Sequence, residues 1–167
     1  MRISSIVMIA VVSIGVRMPV NAQILPPDKL LKLIPNKITG FYLSTDPQSK
    51  QIKLGTLQYC MAEKDFAASR KRSVKILLFD YKEAPIMYNQ ATRKWATYKT
   101  IESDTIIQRP VKLNECTGWE SYHAGRMSSQ ILIGIFNRFY LTVEGTNVDL
   151  ESLKKILQEF KLDSFPK

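Results

Sequence analysis

Gln130-Ile-Leu-Ile-Gly-Ile-Phe136, then Asn137-Arg138, then Phe139-Tyr-Leu-Thr-Val-Glu144, is the stretch whose reading decides the fold. As a strand, the first segment presents apolar side chains to both sides: Ile131, Ile133 and Ile135 to one, Leu132 and Phe136 to the other. A strand of that kind must be covered on both sides, which implies a layered core. Asn137-Arg138 turns the chain, and the alternation of Phe139 to Glu144 predicts an antiparallel partner. Asp149 to Phe160 follows as an amphipathic helix, its buried stripe formed by Leu150, Leu153, Ile156, Leu157 and Phe160. Val148 and Leu153 flank an Asp149 cap as a hydrophobic staple.

Working outward from that hairpin, Thr105–Leu113 reads as a strand that Pro110 confines to an edge or a bulge. Asn114-Glu-Cys-Thr-Gly118 is a turn, Trp119–Tyr122 a short strand and Ala124-Gly-Arg126 another turn. Upstream, Pro85 opens a helix over Ala84–Tyr98. Met87, Ala91, Trp95 and Tyr98 lie on one stripe, with Asn89, Gln90, Arg93, Lys94 and Thr97 on the other face. Ser73–Tyr81 is apolar on both faces and should be central. Ala62–Arg72 is polar and reads as a short helical turn or an exposed connection. Gln51–Cys60 is one strand with Gly55 as a bulge or a point of close approach, Asp46-Pro-Gln-Ser49 a turn, and Ile38–Thr45 the first strand. A brief helix, Lys29–Ile34, is capped by Asp28 and ended by Pro35.

Strands joined by short connections pair antiparallel, and helices that follow runs of strands define an α+β class. The expected architecture is a twisted antiparallel sheet of about six or seven strands, a usual sheet size. Two main helices, Ala84–Tyr98 and Asp149–Leu162, lie on it.

The first residues read as an address. Arg2 precedes an apolar run, Ile6 to Val16, and Val20-Asn-Ala22 suits a cleavage site before Gln23. The run is interrupted by Arg17 and Pro19, and is shorter than the roughly 20 residues of a membrane span. Residues 1–22 are therefore expected to be a signal peptide. Residues 23–167 form one α+β domain, exported to a bacterial periplasm or secreted, with no transmembrane span in the mature chain. The chain carries 24 Lys and Arg against 15 Asp and Glu, a formal net charge of +9. Losing Arg2 and Arg17 with the leader lowers that to +7. A basic surface attracts acidic partners, but an exported protein is not expected to meet nucleic acid. An envelope protein or an acidic polymer is the expected partner.

Two cysteines, Cys60 and Cys116, leave two readings open. In an oxidising compartment they pair, worth about 3–4 kcal/mol in the chain-entropy model; alternatively they are separate buried thiols.

Candidate chemistry is sparse. His123 is the only histidine, so a histidine-rich metal site is ruled out, and a soft copper site from the thiols, His123 and Met61, Met87 or Met127 has nothing to assemble it. Glu102, Asp104 and Glu120 lack the spacing of an acid–base pair. Glycines are scattered singly, and no phosphate loop or nucleophile elbow is present. No cofactor, metal or catalytic residue is expected. Arg70-Lys71-Arg72 is the densest basic run, and Gly118-Trp-Glu-Ser-Tyr-His123 places Trp119 and Tyr122 on opposite faces of a strand. These five residues are the candidate binding surface. Met87, Tyr88, Ala91 and Trp95 are candidates for lining a pocket between helix and sheet.

Gly118-Trp-Glu-Ser-Tyr122, Asn137-Arg-Phe-Tyr-Leu-Thr-Val-Glu-Gly145 and Asp149-Leu-Glu-Ser-Leu-Lys-Lys155 together resemble small exported bacterial proteins with no assigned activity. The order of elements is similar to that of Mog1/PsbP-like domains, in which helices pack on an antiparallel sheet. The resemblance covers the last third by motif and the rest by element order. It implies a binding or assembly module and carries over no functional residue. Non-enzymatic recognition of an envelope component, by surface or groove, is the expected function. A small-molecule or lipid carrier with its pocket under the 84–98 helix is one alternative. A hydrolase assembled from distant residues is another.

Overall fold

The computed structural model describes residues 23–69 and 71–167. The expected leader 1–22, its cleavage point before Gln23 and Arg70 lie outside the described residues. α1 (Pro27–Lys32) is followed by β1 (Tyr42–Leu43), β2 (Gln48–Leu54), β3 (Leu57–Ala68) and β4 (Arg72–Asp80). α2 (Pro85–Arg93) runs on into a 3-10 turn, Lys94–Ala96. Then come β5 (Ile101–Glu102), β6 (Ile106–Leu113), β7 (Cys116–His123), β8 (Ser128–Ile135), β9 (Phe139–Thr146) and α3 (Leu150–Gln158). The strands form one antiparallel sheet in the order β1-β3-β4-β9-β8-β7-β6-β5, with β2 pairing with β3 alongside β1. The α+β class holds, with nine strands where six or seven were expected.

The extra strands have local causes. The segment read as one strand over Gln51–Cys60 folds back on itself: Leu54 pairs with Leu57, and Gly55 turns the chain at φ +61° instead of making a bulge. The charged segment after Ala62 continues as β3, correcting the expected helical turn. Its inward row is Cys60, Ala62, Lys64 and Phe66, all buried. Lys64 disguised that row. Its ammonium donates to the Ile34 carbonyl (2.7 Å) and to Asn36 Oδ1 (2.7 Å), just past the end of α1, where unpaired carbonyls collect. Burial lowers its pKa. The strand expected over Ile38–Thr45 shrinks to β1 and a single bridge, Ile38 to Phe41. α1 starts at Pro27, whose missing N–H costs nothing there, so Asp28 lies in the first turn and is not the cap.

The hairpin β8–β9 is central, as its two-sided apolar pattern requires. Ile131, Ile133 and Ile135 of β8 and Phe139, Leu141 and Val143 of β9 are fully buried under α1 and α3. On the opposite face cover is partial: Leu132 is half-buried and Phe136 is exposed in the turn. Pro110 sits in the part of β6 beyond its two-residue pairing with β5, so its missing N–H faces an open edge. α3 ends at Gln158, short of the expected Leu162, and a 3-10 turn over Leu162–Ser164 brings Phe165 edge-on to Phe139 at 5.2 Å. Among the described residues no helix is long and apolar enough to cross a membrane.

Cys60 and Cys116 are both buried and unpaired. Their strands, β3 and β7, are separated by β4, β9 and β8. Four strand spacings of about 4.8 Å put them roughly 19 Å apart, whereas bonded cysteines have Cα atoms within about 7 Å. Of the two readings, the structure has the separate thiols. Burial raises both pKa values, that of Cys60 to about 11, so neither is a ready thiolate.

A buried ion pair ties the start of the described chain to the centre of the sheet. Arg138 donates to Asp80 from Nε (2.8 Å) and Nη2 (2.7 Å), and both residues are sealed from water. The Leu25 N–H also donates to Asp80 (2.8 Å), and Arg138 donates to the Gln23 carbonyl (3.1 Å). Removing one partner of such a pair strands the other charge. Arg138→Met should therefore cost about 3–5 kcal/mol in urea unfolding. Lys75→Met, which breaks the solvated pair with Glu63, should cost no more than about 1 kcal/mol. Equal midpoints for the two variants would show that the pair holds nothing.

The Asp149 cap supplies a pH test. Its carboxylate accepts the Ser152 N–H at 2.7 Å, and this bond holds its pKa below the ordinary value. A depressed folded-state pKa gives stability that is complete above the unfolded value, about 3.9, and is lost as pH falls through the folded one. Asp149→Ala should cost about 1 kcal/mol at neutral pH. The gap to wild type should close in thermal melts taken progressively below about pH 4, and a gap that stayed constant would contradict the cap.

Candidate binding cleft

The face of the sheet opposite α1 and α3 is only part-covered. Near the ends of β4 and β9 it carries Phe79 and Tyr140, joined by Tyr59 and Tyr81. Tyr81 stacks on Phe79 (5.6 Å, 8°) and Trp95 on Tyr140 (6.0 Å, 17°). α2 is anchored there by Tyr81, Ala84 and Tyr88, with Met87 packed against the same cluster. Tyr88 descends onto Gly134 of β8, where an added Cβ would meet the hydroxyl at 2.4 Å and the Trp95 ring at 3.4 Å. Gly134 is thus a glycine because two aromatic side chains use the space over its Cα.

Further along, β7 and β6 drop out from under the helix. Tyr98 reaches down on Trp119 edge-on at 5.2 Å and closes that side. Between these two anchors the flank of α2 and its 3-10 extension carries Asn89, Thr92 and Ala96, too short to reach the sheet. A cleft of about 630 Å³ remains between that flank and Pro110, Lys112 and Thr117, with Trp95 and Tyr88 on the helix side and Asn137 at one end. Its size falls within the usual range for small-ligand sites. A second recess of about 210 Å³ continues from Tyr88 toward Cys116 and Phe136. Burial raises the pKa of Tyr88 and takes Tyr140 to about 12, so their hydroxyls remain protonated donors.

Among the pocket candidates read from sequence, Tyr88 and Trp95 line the cleft, while Met87 and half-buried Ala91 do not. Trp119 is buried, at 5% exposure, and Tyr122 is half-buried on the α3 side. Lys71 is exposed in the β3–β4 turn, and Arg72 lies over the Phe41 ring at 5.0 Å. That turn is at the far end of β4 from α2, so the structure does not join the basic run to the cleft. Asn89, Thr92, Lys112, Thr117 and Asn137 were missed. The legible signal was a flank of short polar residues beside an aromatic stripe; the strand side had none.

The carboxylates Glu120 and Glu102 are held by cations. Glu120, buried at 1% exposure, accepts from Arg109 Nε (2.6 Å) and faces Lys154 at 3.2 Å, and Arg109 also reaches Glu102 at 3.4 Å. Asp104 is exposed. His123 is half-buried with Nε2 at 3.5 Å from Gln108 Nε2. Among the described residues, no three His, Cys, Asp or Glu side chains converge as metal ligands would.

No family model matches the chain, and no curated protein matches it. A crystal structure of a GTP binding regulator from Thermotoga maritima is similar over 81% of this chain and 84% of its own, at 14% identity and a TM-score of 0.42. A likeness that distant carries no argument about this chain's activity.

The cleft depends on Gly134. Gly134→Ala should push Tyr88 off the sheet and cost about 1–3 kcal/mol as an overpacked site. A shift in tryptophan emission should accompany it, because Trp95 is seated over the same residue. An unchanged melt and spectrum would mean that the helix is not seated as described.

Proposed function

We propose that this chain is an exported, non-enzymatic binding or accessory protein of the bacterial periplasm, which recognises an envelope component in the groove beside α2. The observation that carries the reading is the cleft itself, an open concavity walled by aromatic rings and rimmed with amides and hydroxyls, at a place where complete packing would have been easy for a longer flank. The arrangement of carboxylates supports binding over hydrolysis: Glu120 and Glu102 are neutralised by Arg109 and Lys154, and none of them faces the cleft. Export is supported by the charge and apolar pattern of residues 1–22, and the partner by the excess of basic residues.

A carrier of small molecules is a second reading favoured by the same concavity. A lipid carrier fits less well, since the lining mixes Asn, Thr and Lys with its aromatic residues.

The full chain expressed in a bacterial host should appear in the periplasmic fraction with an intact mass that begins at Gln23. It should co-sediment with isolated cell envelopes, and Thr117→Trp, which fills the cleft from an exposed strand position, should abolish sedimentation. Lys50→Trp, on the opposite edge of the sheet, should not. Retention in the cytoplasm at full length, or sedimentation indifferent to Thr117→Trp, would defeat the proposal.

A further inference from the structure

Taken as the binding groove proposed above, on which the following inference rests, the cleft has a chemistry specific enough to say what kind of ligand it takes. Three features bear on it.

The first is charge. Among the described residues Lys112 is the one charged side chain lining the cleft, and the segment that builds the facing wall, Pro85 to Thr100, contains Arg93, Lys94 and Lys99 and no Asp or Glu. Among the described residues none of these four cations is ion-paired. Arg93 and Lys94 border a depression on the outer side of the same helix end. Glu115 lines the smaller recess, which shares Tyr88, Thr117 and Asn137 with the cleft. An unpaired cation on the wall of an open concavity attracts anions.

The second feature is hydrogen-bonding capacity. Asn89, Lys112, Thr117 and Asn137 line the cleft, and among the described residues their side chains bond to no protein group; the Thr92 hydroxyl donates only to the Tyr88 carbonyl (3.0 Å). With the Tyr88 hydroxyl, six side chains present donors and acceptors around one space. A flat aromatic acid would leave most of them facing carbon, at a desolvation cost for each. A polyhydroxylated ring would answer them.

The third is the wall. Trp95 is braced by Tyr140 and lines the cleft, as does Pro110. A rigid indole is suited to the apolar C–H face of a ring with hydroxyls around its rim.

We propose that the α2 cleft binds a small anionic carbohydrate, a pyranose carrying a carboxylate or phosphate, with its ring laid against Trp95 and its anionic group at Lys112. In an envelope setting that is the repeating unit of an acidic sugar polymer, which would make the proposed partner a glycan.

The test titrates the mature chain with glucuronic acid, glucose 6-phosphate, glucose and benzoate, following tryptophan emission and ligand proton signals by saturation transfer. The two anionic sugars should saturate with at least fivefold higher affinity than glucose. Lys112→Met should bring them down to the level of glucose. Trp95→Leu should weaken all three sugars by tenfold or more, and Lys50→Met should change none. Uronate without phosphate binding would narrow the anion to carboxylate; phosphate without uronate would narrow it to phosphate. If Trp95→Leu fails to fold, Lys112→Met still decides. Glucose binding as well as the anions, a Lys112→Met variant that keeps the preference, benzoate displacing the uronate, or no saturation by any sugar would each overturn the proposal. These results are independent of export and sedimentation, so an exported chain that ignores sugars and a sugar binder that stays in the cytoplasm are told apart.

Discussion

The central hairpin sets the terms for the rest of the molecule. β8 and β9 carry apolar side chains on both sides, and each fully buried Ile, Leu or Phe contributes about 1.5–3 kcal/mol only if water is kept off it. On one face that demand is met completely: α1 and α3 cover Ile131, Ile133, Ile135, Leu141 and Val143. On the other face a single short helix is available among the described residues, α2, nine residues long. It is pinned where aromatic residues are densest and stops before the sheet does. Beyond it the sheet face is polar by sequence, with Lys75, Glu144, Gln130 and Ser121 following one another across β4, β9, β8 and β7. The alternation in Phe139 to Glu144 therefore records where cover ends as well as that a strand exists.

Buried polar groups in this protein mark joints between elements. Lys64 joins β3 to the end of α1, Asp80 and Arg138 join β4 and the β8–β9 turn to residues 23–25, and Ser129 donates to the Val148 carbonyl (2.6 Å) where β9 leads into α3. Each replaces water at a backbone end that the core would otherwise strand. Glu120 links β6, β7 and α3 through the side chains of Arg109 and Lys154. Charges committed in this way are poor candidates for chemistry, because moving any of them would open a joint.

What the sequence concealed follows from the same physics. Period-two patterning identified β4, β8 and β9 because Val74, Ile76 and Leu78, Ile131, Ile133 and Ile135, and Phe139, Leu141 and Val143 make uninterrupted apolar runs along their inward rows, with Asp80 and Ser129 only at strand ends. It failed at β3, where Lys64 occupies an inward position and is satisfied only by a helix end distant in sequence. The α3 cap and staple were legible because Asp149, Ser152, Val148 and Leu153 are neighbours in the chain. The aromatic half of the cleft was legible too, as Tyr88 and Trp95 on a helical stripe. Lys112 and Thr117 were not, since nothing local distinguishes an exposed strand residue at the edge of a cleft from any other exposed strand residue. The separation of Cys60 from Cys116 was equally out of reach, because it depends on the crossing order β3-β4-β9-β8-β7 and not on spacing.

The cleft can therefore be understood as a consequence of how α2 is held. Two aromatic contacts fix its height: Tyr88 on Gly134 at the near end, and Tyr98 on Trp119 past the 3-10 turn. With both ends set by rings, a gap remains between them that only long side chains on the intervening flank could fill. Asn89, Thr92 and Ala96 are short, so the gap stays open at the cost of the dispersion contacts that filling it would have made. A fold stabilised chiefly by its opposite face can forgo those contacts. That division leaves one side of the sheet to hold the structure and the other free to meet a ligand.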